Sequence, residues 1–256
     1  MKRALGIGGV TAVGVALLLT SPANAQILNP SGVTSSAATA TIHVPSDFDH
    51  ALSDTRANGH YDVQGSALHI YTDGNSDVDA SKGGQNSDKV AEYVDTNTPL
   101  ASVGEPGLDY TSNTGTIPPG FQLAVDFDGD GISDGILVGE TAYNGDWWAS
   151  NGSAQFVKDG APITGGGSGT DWHGTLDQWR ASFPHATVKA FGFSLGSGVQ
   201  GDGLINSISF NGTTYTFAAD VRLKSKDECK NGGWATSNLP TYKNQGECVS
   251  HFASGK

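Results

Sequence analysis

Basic residues are scarce in this sequence. Its 256 residues include 14 lysines and arginines against 26 aspartates and glutamates, which gives a formal net charge of −12. A nucleic-acid backbone and an anionic lipid surface both recruit basic side chains, so this balance argues against either as a partner. We therefore expect the partner to be a cation or a neutral molecule, and we expect no nucleic acid.

Long apolar runs are missing from the sequence after its first residues. The run at residues 4–20 follows Lys2 and Arg3 and precedes small residues at Ala23 and Ala25. This arrangement is typical of a secretory signal peptide. A retained membrane anchor is the alternative, but the run is short, rich in glycine and ends in a cleavable sequence. We predict cleavage after Ala25, secretion, and no membrane contact of the mature chain.

Cysteine occurs only twice, at Cys229 and Cys248. The pair does not form a CxxC pattern, and the histidines show neither HxH nor HExxH spacing, so a zinc site is not expected. In an exported chain an isolated pair of cysteines is most simply a disulfide, with two free thiols as the alternative.

Glycine, in contrast, is abundant at 36 residues, and charged residues make up only 16% of the chain. Short stretches rich in β-branched and aromatic residues alternate with turn residues, which predicts strands joined by turns. The predicted strands are 60–64, 67–72, 89–94, 107–112, 121–128, 135–140, 154–158, 187–195, 205–210 and 213–218. Between the last two, Asn211-Gly212 is a strong hairpin signal.

One helix is predicted, beginning at Thr175. Thr175 and Gln178 have the spacing of a capping box, and Pro184 supplies the stop. Three apolar residues fall on one face of this helix, which indicates packing against the core. They are Leu176, Trp179 and Phe183.

These patterns predict an all-β fold, an antiparallel two-sheet sandwich or jelly roll with one short helix. The expected parts are a signal peptide (1–25), a flexible leader (26–40), the sandwich domain (41–218) and a C-terminal segment (219–256). The last segment is too short for a core of its own, but a disulfide would stabilise it by about 3 kcal/mol. We expect a small disulfide-stapled appendage, docked by Trp234 and Phe252.

The stretch DFDGDGISDG, residues 126–135, places aspartates at alternate positions. Ca²⁺ takes several oxygen ligands, and a tight loop of this pattern supplies them. The sixth position is Gly131, which allows the turn, whereas the twelfth is Leu137 instead of a bidentate glutamate. The predicted ligands are Asp126, Asp128, Asp130, the carbonyl of Ile132 and Asp134. We expect a structural Ca²⁺ here; an acidic turn without a metal is the alternative.

This acidic loop resembles the calcium loops of EF-hands, dockerins and thrombospondin type 3 repeats. Its flanks are predicted strands, so it is most similar to the strand-loop-strand calcium hairpins of integrin-like propeller blades and bacterial extracellular β-domains. The resemblance implies a structural calcium, and the missing twelfth ligand suits a weak site of the extracellular type.

Tryptophans are the candidate ligand-binding residues. Trp147 and Trp148 are adjacent, and Trp172 follows a glycine-rich stretch. Sugar rings present apolar faces that stack on indoles, so these residues predict a carbohydrate surface. Adjacent residues of a strand point to opposite faces, so at most one of Trp147 and Trp148 should be exposed. Packing in the core is the alternative for all three.

Catalytic arrays are not evident in the sequence. Ser194 lies in a GxSxG pattern, but a predicted hairpin is not the strand-turn-helix elbow of a serine hydrolase. Glycoside hydrolysis needs two opposed carboxylates, for which Glu105, Glu140 and Asp146 are available without diagnostic spacing. We expect no catalytic residues. A glycan-active hydrolase using Glu140 or Asp146 is the alternative.

Four sequence blocks within residues 56–218 carry a resemblance to known proteins. They are GFQLAVDFDGDGISDGILVGE, DWWASNGSAQFVKDG, GTLDQWRASFPHATVKAFGFSLGSG and GDGLINSISFNGTTYTF. They resemble a group of actinobacterial secreted proteins of unassigned function and, more loosely, bacterial jelly-roll domains that include carbohydrate-binding modules. The stretch CKNGGWATSNLPTYKNQGECVSHF resembles a C-terminal segment of many bacterial secreted proteins.

The resemblance implies the fold and a secreted location, and it implies no chemistry. From the residues themselves we expect a secreted, non-catalytic binding protein that calcium stabilises, with an extracellular or cell-wall polysaccharide as its partner. A structural exoprotein without a small ligand is a further alternative.

Overall fold

A computed structural model of the chain describes residues 38–75, 87–140, 146–164 and 170–254. The predicted signal peptide (1–25) and the leader up to residue 37 lie outside the described residues. In the described part, twelve strands form two sheets, which confirms an all-β two-sheet sandwich. The strands are β1 (Ala38–Val44), β2 (His60–Gln64), β3 (Ala67–Asp73), β4 (Lys89–Pro99), β5 (Gly107–Thr114), β6 (Gly120–Asp126), β7 (Gly135–Gly139), β8 (Trp147–Ala149), β9 (His173–Gly174), β10 (Thr187–Gly196), β11 (Gln200–Phe210) and β12 (Thr213–Ala219).

Sheet A has the order β1-β12-β11-β3-β2, and β5 is its sixth strand. The long strand β11 pairs with three strands. Along one of its edges it pairs first with β3 and then with β12, and along its other edge it pairs with β5. Sheet B has the order β4-β10-β6-β7-β8-β9. The pairing of β1 with β12 is parallel, which departs from the predicted antiparallel sandwich; the other strand pairs are antiparallel.

The start of the sandwich differs from the expected boundary. We expected order to begin near Thr41, but β1 already begins at Ala38. The sequence of β1, ATATIHV, alternates apolar and polar residues, and its pairing with β12 holds it in the sheet. At the other end, β11 and β12 are joined by Asn211-Gly212 as predicted. Both residues have positive φ, 47° and 73°, which the tight hairpin turn requires.

The main core lies between the two sheets, where alternate residues of each strand point inward. Six large core side chains are at most 1% exposed: Leu68, Ile70 and Ile205 from sheet A, and Leu123, Phe191 and Phe193 from sheet B. Strand β6 is buried on both faces. Its outer face is covered because Leu52 packs on a small apolar cluster that contains Tyr93 and Ala124.

Three short α-helices accompany the sheets in the described part of the chain. They are α1 (Gln155–Gly160), α2 (Leu176–Ser182) and α3 (Gln245–Ala253). Helix α2 is the predicted one, and both hydrogen bonds of its capping box are present. The predicted strand at 154–158 is wrong, because this segment forms α1. Only one of its apolar residues, Val157, is buried, whereas Phe156 is 41% exposed.

Helix α2 packs its apolar face on the core as predicted. Leu176 is 1% and Trp179 0% exposed, and Phe183 stacks on the Trp179 ring at a centroid distance of 6.0 Å. The indole Nε1 of Trp179 donates to the Trp147 carbonyl at 2.9 Å. The buried polar atom of this large side chain is therefore satisfied, and the same bond fixes strand β8 against α2.

The C-terminal appendage is closed by the predicted disulfide between Cys229 and Cys248. Its apolar side chains form a small cluster of their own around the two cysteines. Trp234 and Phe252 belong to this cluster, so their side chains pack inside the appendage instead of docking it on the sandwich as expected. The contact with the sandwich includes polar bonds at Ser46, whose hydroxyl donates to Asp220 at 2.6 Å and accepts from Asn238 at 3.3 Å.

Candidate functional site

The acidic loop joins β6 to β7, so the sheet fixes both of its ends. Three of its aspartates, Asp126, Asp128 and Asp130, each bring a carboxylate oxygen to within 4.8 Å of the other two. Asp126 is buried, while Asp128 and Asp130 are exposed. Such a group of carboxylate oxygens on one tight turn could hold a metal ion.

Backbone bonds hold the acidic loop in shape. The carboxylate of Asp126 accepts from the backbone N–H of Gly129 at 2.6 Å and of Gly131 at 2.9 Å. Both glycines have φ near 90°, a conformation in which other residues are strained. Each carboxylate oxygen has a second lone pair, so these bonds leave Asp126 able to bind a cation.

The two remaining predicted ligands are placed differently from the three aspartates. Asp134 uses its Oδ2 to accept from the backbone N–H of Phe127 at 2.8 Å, and it is not part of the three-carboxylate group. Its backbone N–H donates to Val125 at 2.8 Å, so Asp134 closes the base of the loop. The side chain of Ile132 is 70% exposed, which places this residue at the tip.

The three predicted ligand-binding tryptophans lie in three different environments. Trp147 points into the core and is 4% exposed, and Trp148 points to the outer face of sheet B, as strand alternation predicts. There Trp148 lines a small depression of about 160 Å³ together with Gln122 and Ser194. Trp172 is half-buried, and its ring lies 4.8 Å from the ammonium group of Lys158.

A larger concave feature, which we call the intersheet cavity, opens between sheets A and B. Its volume is about 300 Å³. Its lining includes the side chains of Glu105, Leu108, Tyr110, Phe121, Glu140 and Trp147. Strand β5 of sheet A supplies Leu108 and Tyr110, whereas sheet B supplies the other two aromatic residues. Of the three predicted tryptophans, Trp147 is the one that lines this cavity.

Glycines make room for three of the cavity side chains. A Cβ on Gly139 would lie 2.8 Å from the Trp147 ring, and one on Gly120 would lie 2.6 Å from Cγ of Glu140. A Cβ on Gly203 would lie 2.5 Å from Cζ of Tyr110. Each of these side chains therefore crosses a neighbouring strand at a glycine, so the cavity wall depends on strand positions that carry no side chain.

The electrostatics of the intersheet cavity are set by its two carboxylates. Burial raises the pKa of Glu140, and the indole N–H of Trp148 opposes part of that rise. This contact falls short of hydrogen-bond geometry, because Nε1 of Trp148 is buried without a partner among the described residues. Glu105 is more exposed, and one of its oxygens lies 3.4 Å from Arg180.

The alternative prediction was a hydrolase that uses Glu140 or Asp146. In the structure Glu140 shares the cavity with Glu105, and Asp146 is not among the described residues that line it. Tyr110 and Phe121 were missed as candidate site residues. No linear pattern marks them, because they come from β5 and β6, which lie in different sheets.

A separate group of titratable residues lies on the outer face of sheet A. Nδ1 of His69 is 2.8 Å from Asp62, and its Nε2 is 3.0 Å from Asp202. Burial alone would lower the pKa of His69, but the bonds to the two carboxylates outweigh it and raise the pKa. Both ring nitrogens can donate only when the imidazole is protonated, so the group contributes stability that depends on pH.

The protein is thus a two-sheet β-sandwich that carries two candidate sites: an acidic hairpin loop, and an intersheet cavity lined by aromatic side chains and carboxylates. Comparison with protein-family models, curated proteins and solved structures gave no match. Among the described residues no helix is long and apolar enough to cross a membrane.

Proposed function

We propose that this protein is a secreted, non-catalytic glycan-binding protein whose sandwich is stabilised by a calcium ion. The observation that carries the proposal is the intersheet cavity, which combines aromatic walls with carboxylate acceptors. Aromatic rings stack on the apolar faces of sugar rings, and carboxylates accept hydrogen bonds from sugar hydroxyls. The volume of the cavity is at the lower end for ligand pockets, so it suits one sugar unit at a chain end.

Calcium enters the proposal through the acidic loop. Asp126, Asp128 and Asp130 would hold the ion, whose charge would offset the repulsion between their carboxylates. The ion would fix the turn between β6 and β7, and both strands contribute residues to the cavity. The role of the ion would thus be structural, without direct contact with the sugar.

Extracellular location is supported by two independent features. The first residues have the composition of a signal peptide, with Ala25 before the predicted cleavage site. The Cys229–Cys248 disulfide is a bond that persists in oxidising surroundings. An extracellular or cell-wall polysaccharide is accordingly the proposed partner.

The test is co-sedimentation of residues 26–256 with insoluble peptidoglycan, chitin and cellulose. The proposal expects saturable binding to at least one polymer. Tyr110→Ala, which removes a cavity wall, should abolish binding. Tyr71→Ala, a half-buried tyrosine on the outer face of sheet A, serves as the matched control and should bind like the wild type.

Circular dichroism of both variants would show whether each retains the fold. Absence of saturable binding to all three polymers would overturn the proposal. If a folded Tyr110→Ala variant binds like the wild type, the intersheet cavity is not the glycan-binding site.

A further inference from the structure

The charge of the intersheet cavity narrows the kind of sugar that fits it. Its described lining contains two glutamates and neither lysine, arginine nor histidine. Glu105 is exposed and Glu140 half-buried, and Glu140 also borders the outer depression that Trp148 lines. A ligand in this space therefore meets carboxylates and aromatic faces, both of which attract positive charge.

Glu140 is the less compensated of the two carboxylates. Among the described residues it forms no ion pair, and Nε1 of Trp148, which acts on this carboxylate, lies outside hydrogen-bond geometry. Glu105, in contrast, has Arg180 at 3.4 Å. A partly desolvated carboxylate without a counter-ion gains most from a ligand that brings a cation.

The aromatic walls act in the same direction. The rings of Phe121 and Trp147 both border the cavity, and they lie 6.0 Å apart at 63°. An ammonium group close to such faces is stabilised by their electron density, and this effect is larger where water is excluded. The acidic balance of the whole chain further favours the approach of a cation.

We infer that the intersheet cavity binds an amino sugar, with the protonated amine directed at Glu140 and the sugar ring against Trp147 and Tyr110. This inference rests on the proposed glycan-binding function and specifies its ligand class. A neutral sugar offers no charge to Glu140, and acetylation of the amine removes both the charge and two of its donor hydrogens.

The test uses isothermal titration calorimetry at about pH 6 with three soluble probes: glucosamine, N-acetylglucosamine and glucose. Wild-type protein should bind glucosamine about tenfold or more tightly than the two neutral sugars, because a charge-assisted bond is about twice as strong as a neutral one. Glu140→Gln should remove most of the preference for glucosamine while leaving the affinity for glucose unchanged.

Two further variants keep the test decisive. Glu105→Gln removes the other cavity carboxylate and should also weaken glucosamine binding. It serves as the test if Glu140→Gln fails to fold. Asp171→Asn removes one exposed carboxylate that is not among the described cavity residues, and it should retain the full preference. Equal affinity for all three sugars would overturn the inference while leaving the glycan-binding function in place.

The remaining outcomes separate the two ideas further. A preference for glucosamine that persists in both glutamate variants would place the amine elsewhere and overturn the inference. Methylamine, titrated as a fourth probe, should bind more weakly than glucosamine because it has no sugar ring. If it binds as tightly, the ring contributes nothing to the affinity and the amino-sugar assignment is overturned. If no sugar binds, charged or neutral, the proposed function fails together with the inference.

Discussion

Removal of calcium is expected to lower the melting temperature of this protein. A ligand that binds only the folded state at about 100 times its Kd adds about 2.7 kcal/mol to the free energy of unfolding. For a domain of this size each kcal/mol shifts Tm by about 2–4 °C, so the expected shift is about 5–11 °C. With an extracellular-type Kd of about 10⁻⁴ M, about 10 mM calcium is required. The assay is differential scanning calorimetry in calcium and in chelator.

Two variants divide this effect between the metal and the backbone bonds of the loop. Asp128→Asn keeps an acceptor for the backbone N–H of Asp130, which lies 3.1 Å away, but it loses the charge. It should melt like the wild type in chelator and lose most of the calcium shift. Asp126→Asn can accept only one of its two backbone bonds, so it should lose about 1–3 kcal/mol even in chelator.

The control is Asp171→Asn, which removes an exposed carboxylate outside the loop and should retain the full calcium shift. If wild type shows no shift in about 10 mM calcium, or if Asp128→Asn shows the full shift, the metal assignment is refuted. If Asp126→Asn melts normally in chelator, the reasoning from its backbone bonds is refuted instead.

Three other expectations concern stability. The pKa of His69 is raised in the folded state, so its contribution to the free energy of unfolding is complete below about pH 6.5 and is lost as the pH rises through the raised pKa. Urea titrations at several pH values should show this loss in the wild type and not in His69→Gln. Thr175→Ala removes a capping box and should cost about 1 kcal/mol, measured as a lower Tm. Replacing Cys229 and Cys248 by serine should cost the appendage about 3 kcal/mol, seen as faster cleavage by trypsin while the sandwich melts unchanged.

Strands with clear turns could be predicted from the sequence. Strand β2 matches its predicted bounds, and the Asn211-Gly212 turn located the last hairpin because its backbone conformation favours these residue types. Strands β8 and β9 have only 3 and 2 residues, too few to show any period, and they were missed. Helix α1 was misassigned because its two large apolar residues favour strands, although only one of them meets the core.

The two candidate sites differ in the same way. The acidic loop is local in sequence, so the grouping of Asp126, Asp128 and Asp130 followed from their spacing. The intersheet cavity is not local, because β5 and β8 meet there across two sheets. Its shape also depends on glycines such as Gly139, whose absent side chain leaves space for an indole. Pattern alone does not specify which strands face each other.

The pairing of β1 with β12 has a consequence for when the protein acquires its fold. The first strand of the sandwich finds its partner only in the last one, with Ala38 opposite Thr213. A chain that emerges N-terminus first must therefore keep β1 without its native neighbour until nearly all other strands have been made. Such distant contacts are slow to close. The topology thus delays completion of sheet A until β12 has been made.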